Sequence, residues 1–558
     1  MTRDTLNTWI AIAFCWAFAL TAVLLFRPLM PVDETRYMTV AWEMLVRDTW
    51  LLPTLNYEPY SHKPPLLFWI IRGSWEIFGV HVWPVRITLG VVIIGLFGLV
   101  ARLAQTLFPN EEKLPSRSML LLAALPVFLV YASMIMFDSL LAVFVVTGLI
   151  AIWHAAQDTN KKSWLLLGLA LGGGILAKGP VALVYILPAA LLAPVWAGTQ
   201  PSWKGWYGRI ALAVLMGASI ALLWAIPAAI TGGPAYAQKI FLSQSAGRMV
   251  NAFDHQEPFW FYFPVALAFV APLLLWPAFW RNIKSKVHLE LLNGTNTRSQ
   301  VRFLLCQILP VFIFFTAISS KQIHYMVPLL PAFSVLAALF ISRGHERFSA
   351  GMPALLSAVP SIVLLCEHAY VVVVGHEIKG WAHIMDGFMP WVAVTHVGIA
   401  LALAWYSERH QKSGFKVLAA AAMLLLAFTH MQLGQSFFPR YDLSRLKPYI
   451  DEFRANPLAV APKYDGEYGY ELRLTKPVSV FEDHLVDDWL SQHRNTIVIT
   501  RVDNITKHQP MYYYPLGSML YRENKRIDIL GYKLRPYEKL YWRESPLYYN
   551  KEFMKDKK

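Results

Sequence analysis

Charged side chains are sparse in this sequence, and those standing beside long apolar blocks carry the most chemical information. Pro31-Val32-Asp33-Glu34-Thr35-Arg36-Tyr37 places two acids and an arginine directly after the first apolar block. His62-Lys63-Pro64-Pro65 sets a lysine on a proline-stiffened turn, Phe137-Asp138-Ser139 opens another apolar block, and Lys178-Gly179-Pro180 makes a tight turn between two blocks. Gly247-Arg248-Met249 and Asp254-His255-Gln256-Glu257 share one loop, and Ser320-Lys321-Gln322-Ile323-His324-Tyr325 precedes a later block. Lysine and arginine in such places can bind phosphate, arginine through its bidentate fork. A carboxylate can act as a general base. Each stretch also has a plainer explanation. Acids suit a helix start, Asp138 suits an N-cap, and Lys63 suits an interface lysine that snorkels. Lys178 sits in a turn that needs Gly and Pro in any case, Arg248 suits a solvated loop, and Tyr325 suits an aromatic belt. His255 and Glu257, joined by His62, are the candidate ligands for a divalent metal, although i, i+2 spacing in a loop is a weak signal. No cofactor is otherwise required.

The elements that must position these residues are apolar helices. Hydrophobic residues make up 56% of the 558 and charged residues 15%, against roughly 25% charged in an ordinary soluble domain. The apolar residues gather in blocks of about 17 to 25, the length that spans a bilayer as a helix. The fold class expected is therefore a polytopic α-helical membrane protein. Thirteen spans are placed, near 8–26, 80–104, 118–133, 138–157, 164–177, 180–197, 209–230, 259–279, 303–319, 324–342, 352–375, 389–406 and 417–435. The first is read as a retained helix, since no small-residue cleavage site follows it.

With the N-terminus in the cytoplasm, the inside loops hold Lys113, Arg117, Lys161, Lys162, Lys204, Arg209, Arg281, Lys284, Arg343, Arg409 and Lys412. That is a consistent positive-inside pattern. It accounts for the net charge of +14 without nucleic acid as a partner. The polar stretches above then fall almost entirely on the outer face. Two of them flank amphipathic helices too short to span, Glu34 to Arg47 and Leu66 to Phe78, which should lie in the interface plane. The three cysteines, Cys15, Cys306 and Cys366, fall within apolar blocks and read as small buried hydrophobes. Two domains follow: residues 1–436 as the membrane unit, and 437–558 as a mixed α/β domain on the outer side. In the latter Thr496-Ile497-Val498-Ile499-Thr500 reads as a strand and Leu485 to His493 as a helix. No internal repeat is visible, which sets the chain apart from transporters built on repeats with midplane charges.

At these residues the sequence resembles the membrane-integral glycosyltransferases of the GT-C type, in particular the aminoarabinose transferase and protein O-mannosyltransferase families. Asp33-Glu34-Thr35-Arg36-Tyr37, Lys63-Pro64-Pro65-Leu66, Arg86, Phe137-Asp138-Ser139, Lys178-Gly179-Pro180 and Lys321 with Tyr325 and Pro328 carry the resemblance, in order. His62 departs from it, standing where an acid is expected. The aminoarabinose transferase match implies undecaprenyl-phosphate 4-amino-4-deoxy-L-arabinose as donor and lipid A phosphate as acceptor. It also implies a site on the periplasmic face of a bacterial inner membrane, inversion at the anomeric carbon, resistance to cationic antimicrobial peptides, and a monomer. On that reading Asp33, Glu34 and Asp138 are catalytic, while Lys63 and Arg248, supported by Arg36, bind the donor phosphate. Tyr37, His62, Arg86, Lys178 and Tyr325 complete the candidate site. The mannosyltransferase reading would make Asp33 a general base toward a protein hydroxyl.

Overall fold

Backbone in a hydrocarbon layer must satisfy its own hydrogen bonds, and helices do so locally. The computed structural model describes residues 2–157, 161–198, 202–241, 256–285, 297–343, 349–374, 388–447, 451, 458–461, 463–482, 497–501, 512–514 and 518–521. The first half runs α1 (Arg3–Phe26), α2 (Asp33–Val46), α3 (Leu66–Phe78), α4 (Val82–Leu107), α5 (Leu114–Ala123), α6 (Pro126–Ala132), α7 (Phe137–Gln157) and α8 (Lys161–Lys178). It continues through α9 (Val181–Leu191), α10 (Ala193–Trp196) and α11 (Trp203–Gly232). After Pro234–Gln238 (α12) come α13 (Tyr262–Leu274), α14 (Pro277–Lys284), α15 (Arg298–Ala317) and α16 (Leu330–Ser342), the last entered through a 3-10 helix at Ile323–Leu329. Gly351–Ser357 (α17), Val359–Val374 (α18), Pro390–Arg409 (α19) and Gly414–Leu433 (α20) close the bundle.

Among the described residues eight helices are long and apolar enough to cross a membrane, and three bent pairs raise the number to as many as 11. The expected third and eighth spans are such pairs. α5 and α6 bend by 76° and α13 and α14 by 96°, each just before a proline. Leu125 (ψ 101°) and Trp276 (ψ 114°) are extended there, as residues before proline prefer. The expected eleventh span is the third pair, bent by 43°. The expected fifth and sixth spans are helical but lie outside that number. α8 is 18 residues with three lysines, and α9 is 11 residues.

Small residues let the helices approach. A Cβ on Gly168 or Gly172 of α8 would meet Met216 or Ile220 of α11 at 2.5 and 2.8 Å. Indole N–H groups tie α1 to α4, Trp9 donating to the Ile94 carbonyl (2.9 Å) and Trp16 to that of Gly90 (3.2 Å). The cysteine expectation holds for Cys306, which is buried; Cys15 is half-buried and Cys366 is exposed. An apolar block has an outer face, and Cys366 occupies it.

α2 and α3 are the two short amphipathic helices. Tyr37, Val40, Ala41 and Met44 pack against Leu67, Phe68, Ile71 and Trp75. Arg72 locks the pair by donating to the Met44 carbonyl (3.0 Å) and to Asp48 (2.6 Å). Between them β1 (Thr54–Leu55) and β2 (Glu58–Pro59) form a hairpin. Its turn residues, Asn56 and Tyr57, give their amides to Glu43, each at 2.8 Å.

Toward the C-terminus a five-stranded sheet has the order β4-β3-β5-β7-β6, from Leu458–Ala461 (β3), Ser479–Val480 (β4), Ile497–Arg501 (β5), Tyr512–Tyr514 (β6) and Ser518–Tyr521 (β7). β3 is parallel to β4 and β5, while β7 is antiparallel to β5 and β6. The helix expected at 485–493 lies outside the described residues.

Residues 463–482 dock on α2, α3 and the hairpin between them. Thr39 donates to the Gly466 carbonyl (2.7 Å) and accepts the Tyr470 amide (2.9 Å). Trp42 donates to the Leu474 carbonyl (2.7 Å). Asn56 and Val478 exchange two hydrogen bonds, of 3.0 and 2.8 Å, and Tyr470 stacks on Trp75 at 5.3 Å.

Candidate active site

The first turn of α7 is where the candidate residues meet. Phe137 is its opening residue, and three side chains from other elements reach its ring, Phe68 of α3 among them at 5.5 Å. Tyr37 packs edge-on at 4.8 Å, and Lys63 holds its ammonium 5.7 Å from the ring centre. Tyr37 lies one turn after Asp33 on α2, so its hydroxyl donates to Asp33 Oδ1 at 3.0 Å. Burial, then the Asp33 charge, push the Tyr37 phenol well above its usual range, so it stays a neutral donor. Asp33 itself is half-buried.

Asp138 follows Phe137 and is 1% exposed. Its Oδ1 takes the Lys178 ammonium in an ion pair, and His324 Nε2 stands 3.8 Å from Oδ2. Lys178 also lies 4.6 Å over the Tyr325 ring, a cation–π arrangement. Tyr185 donates to the Tyr325 carbonyl at 2.7 Å. The His324 ring sits between Tyr131 (5.9 Å) and Tyr325 (4.9 Å). Asp138, Lys178 and Tyr325 are thus brought together as the sequence suggested, with His324 as a fourth member.

Glu34 and Arg86 stand apart from this group. Glu34 is fully buried. It accepts the amides of Met30 and Ile135, each at 2.9 Å, and pairs with Arg27 at 3.4 Å and Arg86 at 3.6 Å. Arg27 further donates to the Ser133 carbonyl (2.7 Å), and Arg86 to that of Arg27 (2.6 Å). Burial raises the Glu34 carboxyl, but the two arginines and two amides outweigh it and hold it below its usual range. This knot joins the end of α1, the start of α2, α4 and the loop before α7.

Arg36 points toward the C-terminal segment. Its Nε donates to the Asp465 carbonyl at 2.8 Å and its Nη2 pairs with the Asp465 carboxylate at 3.4 Å. His62 is exposed, 5.1 Å from the Tyr60 ring. Glu257 is exposed, and its carbonyl accepts Lys321 Nζ at 2.9 Å. Arg248 and His255 lie outside the described residues. No group of three or more His, Cys, Asp or Glu that could hold a metal occurs among the described residues.

The crystal structure of ArnT from Cupriavidus metallidurans bound to undecaprenyl phosphate superposes with a TM-score of 0.70 at 19% identity, covering 93% of this chain and 98% of that one. The chain has the ArnT fold. Residues 62–230 match the family described as dolichyl-phosphate-mannose-protein mannosyltransferase. An undecaprenyl phosphate-alpha-4-amino-4-deoxy-L-arabinose arabinosyl transferase 2 of Proteus mirabilis (strain HI4320) is 29% identical over 331 residues, 58% of this chain and 57% of the relative. The chain therefore matches a little over half the length of that relative. A transferase of the same description, without the number, from Edwardsiella ictaluri (strain 93-146) is 25% identical over 565 residues, 95% of this chain and 99% of the relative. The resemblance seen in the motifs thus extends along nearly the whole chain.

Sequence reasoning did not single out His324, Arg27 or Asp465. His324 is adjacent to Tyr325, and its signal was an imidazole at the mouth of an apolar block. Arg27 closes the first apolar block at the end that the charge pattern assigns to the outside, where positive charge is disfavoured. Asp465 carried no signal, because its partner is more than 400 residues away in sequence.

Proposed function

We propose that this protein transfers 4-amino-4-deoxy-L-arabinose from undecaprenyl phosphate to a phosphate of lipid A. The reaction takes place at the periplasmic face of a bacterial inner membrane. The observation that carries the reading is the convergence of Asp33–Tyr37, Lys63 and Asp138–Lys178 on Phe137 within the ArnT fold. An acceptor phosphate oxygen attacks the anomeric carbon and the bond to the donor phosphate breaks, its electron pair leaving on undecaprenyl phosphate. Direct displacement inverts the anomeric centre. No proton moves, since the acceptor is already an anion near neutral pH, and the product anion replaces the one consumed. Negative charge grows on the leaving phosphate. Lys63 supplies the matching cation, with Arg36 and Arg248 in support. Asp33, held by Tyr37, binds the cationic sugar amine or orients Lys63, and Asp138 sets Lys178. Glu34 and Arg86 act by positioning the start of α2 against α7.

We further propose that these side-chain cations act without a divalent metal and that the protein works as a monomer; transfer should then survive EDTA. Adding an amine to a lipid A phosphate offsets its charge, which lowers binding of cationic antimicrobial peptides.

The deciding test is mass spectrometry of lipid A from cells that make the donor but lack their own transferase. Expression of this protein should add the aminoarabinose mass. The match of residues 62–230 to the mannosyltransferase family favours one rival, a protein hydroxyl acceptor with Asp33 as general base. An unmodified lipid A beside newly glycosylated protein would select it.

A further inference from the structure

The strongest unassigned contact at the site is the one between Arg36 and the C-terminal segment. Arg36 lies one turn after Asp33 on α2. Asp465 takes the Nε and Nη2 edge of its guanidinium through main-chain and side-chain oxygens at 2.8 and 3.4 Å. An arginine presents five donors in a rigid plane, so capture of one edge fixes where the Nη1 side points. Asp465 is itself held from several directions. Its amide donates to Glu467 at 2.8 Å, and its carboxylate also pairs with Lys463 at 3.0 Å. The next residue, Gly466, has φ +93°, and a Cβ there would meet Arg36 Cα at 3.2 Å and Leu55 at 2.7 Å. The segment therefore rests on the backbone of α2, a fit that only glycine allows. Thr39, one turn further along α2, pins the same segment through Gly466 and Tyr470.

We infer that Asp465 is a positioning residue for the transfer reaction: it holds the Arg36 guanidinium in the orientation that supports the donor phosphate, so a residue of the C-terminal segment completes a site built by the membrane helices. This rests on the reading of the site as one for a polyprenyl-phosphate-linked sugar. The effect is one of aim, not of charge supply. Removing an anion beside Arg36 would by itself favour phosphate binding, and the inference requires the loss of orientation to outweigh that.

The test uses the full chain in lipid nanodiscs, with Asp465→Asn, Asp465→Glu, Arg36→Gln and the Arg36→Gln/Asp465→Asn double variant. Asp465→Asn should lower kcat by roughly tenfold to a hundredfold, the upper figure being the scale of a group misplaced by about 1 Å, with an unchanged melting temperature. Asp465→Glu should recover most of the rate. In the Arg36→Gln background Asp465→Asn should change nothing further, because coupled residues are not additive. Full activity in Asp465→Asn, or an effect that simply adds to that of Arg36→Gln, overturns the inference. If the wild type transfers no aminoarabinose at all, the proposed function falls, and binding of undecaprenyl phosphate becomes the readout. Weaker binding to Asp465→Asn that disappears in the Arg36→Gln background then upholds the inference, and equal binding overturns it.

Discussion

Neighbouring acids at the start of α2 do different work. Asp33 is half-buried and meets a phenol that keeps it fixed, while Glu34 points the other way into two arginines and two amides. A helix separates adjacent side chains by about 100°, so this division follows from the geometry of consecutive positions. Asp33→Asn keeps the shape and removes the charge. Transfer should fall about a hundredfold or more, with thermal unfolding unchanged, as lipid A mass spectrometry and a melting curve would show together. Glu34→Gln leaves Arg27 and Arg86 without their counter-charge. Breaking a buried pair from one side costs about 3–5 kcal/mol, so the melting temperature in detergent should drop sharply. The pH dependence has a definite sign. The folded Glu34 pKa is depressed, so its contribution is complete above the ordinary value of 4.5 and is lost as pH falls through the folded value.

The elements around the site are held by contacts that can be tested one at a time. α8 and α11 touch through glycines, and a Gly172 Cβ would stand 2.8 Å from Ile220. Gly172→Leu should cost about 1–3 kcal/mol by overpacking, read as a lower unfolding temperature. The docked segment carries its own titration. Burial, then Asp442, push the Glu471 carboxyl up to about 7, with Arg473 opposing. A raised acid pKa means the folded form binds the proton more tightly. Docking should therefore be firmest below the ordinary 4.5 and weaken as pH rises through about 7. Hydrogen-exchange protection of residues 463–474, corrected for the intrinsic rise of exchange with pH, should fall between pH 5.5 and 8, and Glu471→Gln should flatten that change. Of these elements, α3 was read from the sequence with the bounds it has, since its periodicity and the preceding Pro64-Pro65 are local signals. The bends at Leu125 and Trp276 were missed. A proline shows that a helix can break but not that its neighbours will let it turn by 76° or 96°.

For the whole molecule, the C-terminal segment is part of the site's frame. It reaches α2, the β1–β2 hairpin and α3 through Thr39, Trp42, Asn56 and Trp75. A chain ending near residue 437 should still insert in the membrane yet lose transfer activity, checked by membrane fractionation beside lipid A mass spectrometry. Hydropathy and charge in the sequence alone determined the membrane class, the apolar helices and the two short amphipathic helices, and they placed Asp33, Lys63, Asp138, Lys178 and Tyr325 beside apolar blocks as candidates. Each of these depends on near neighbours in the chain: length of an apolar run, period of a helix, and polar residues at its ends. Tertiary structure alone decided that Glu34 turns into a knot with Arg27 and Arg86, that His324 joins Asp138, and that Arg36 is held by Asp465. Those choices pair side chains that are far apart in sequence or turn on a helix's rotation in the bundle, and packing sets both.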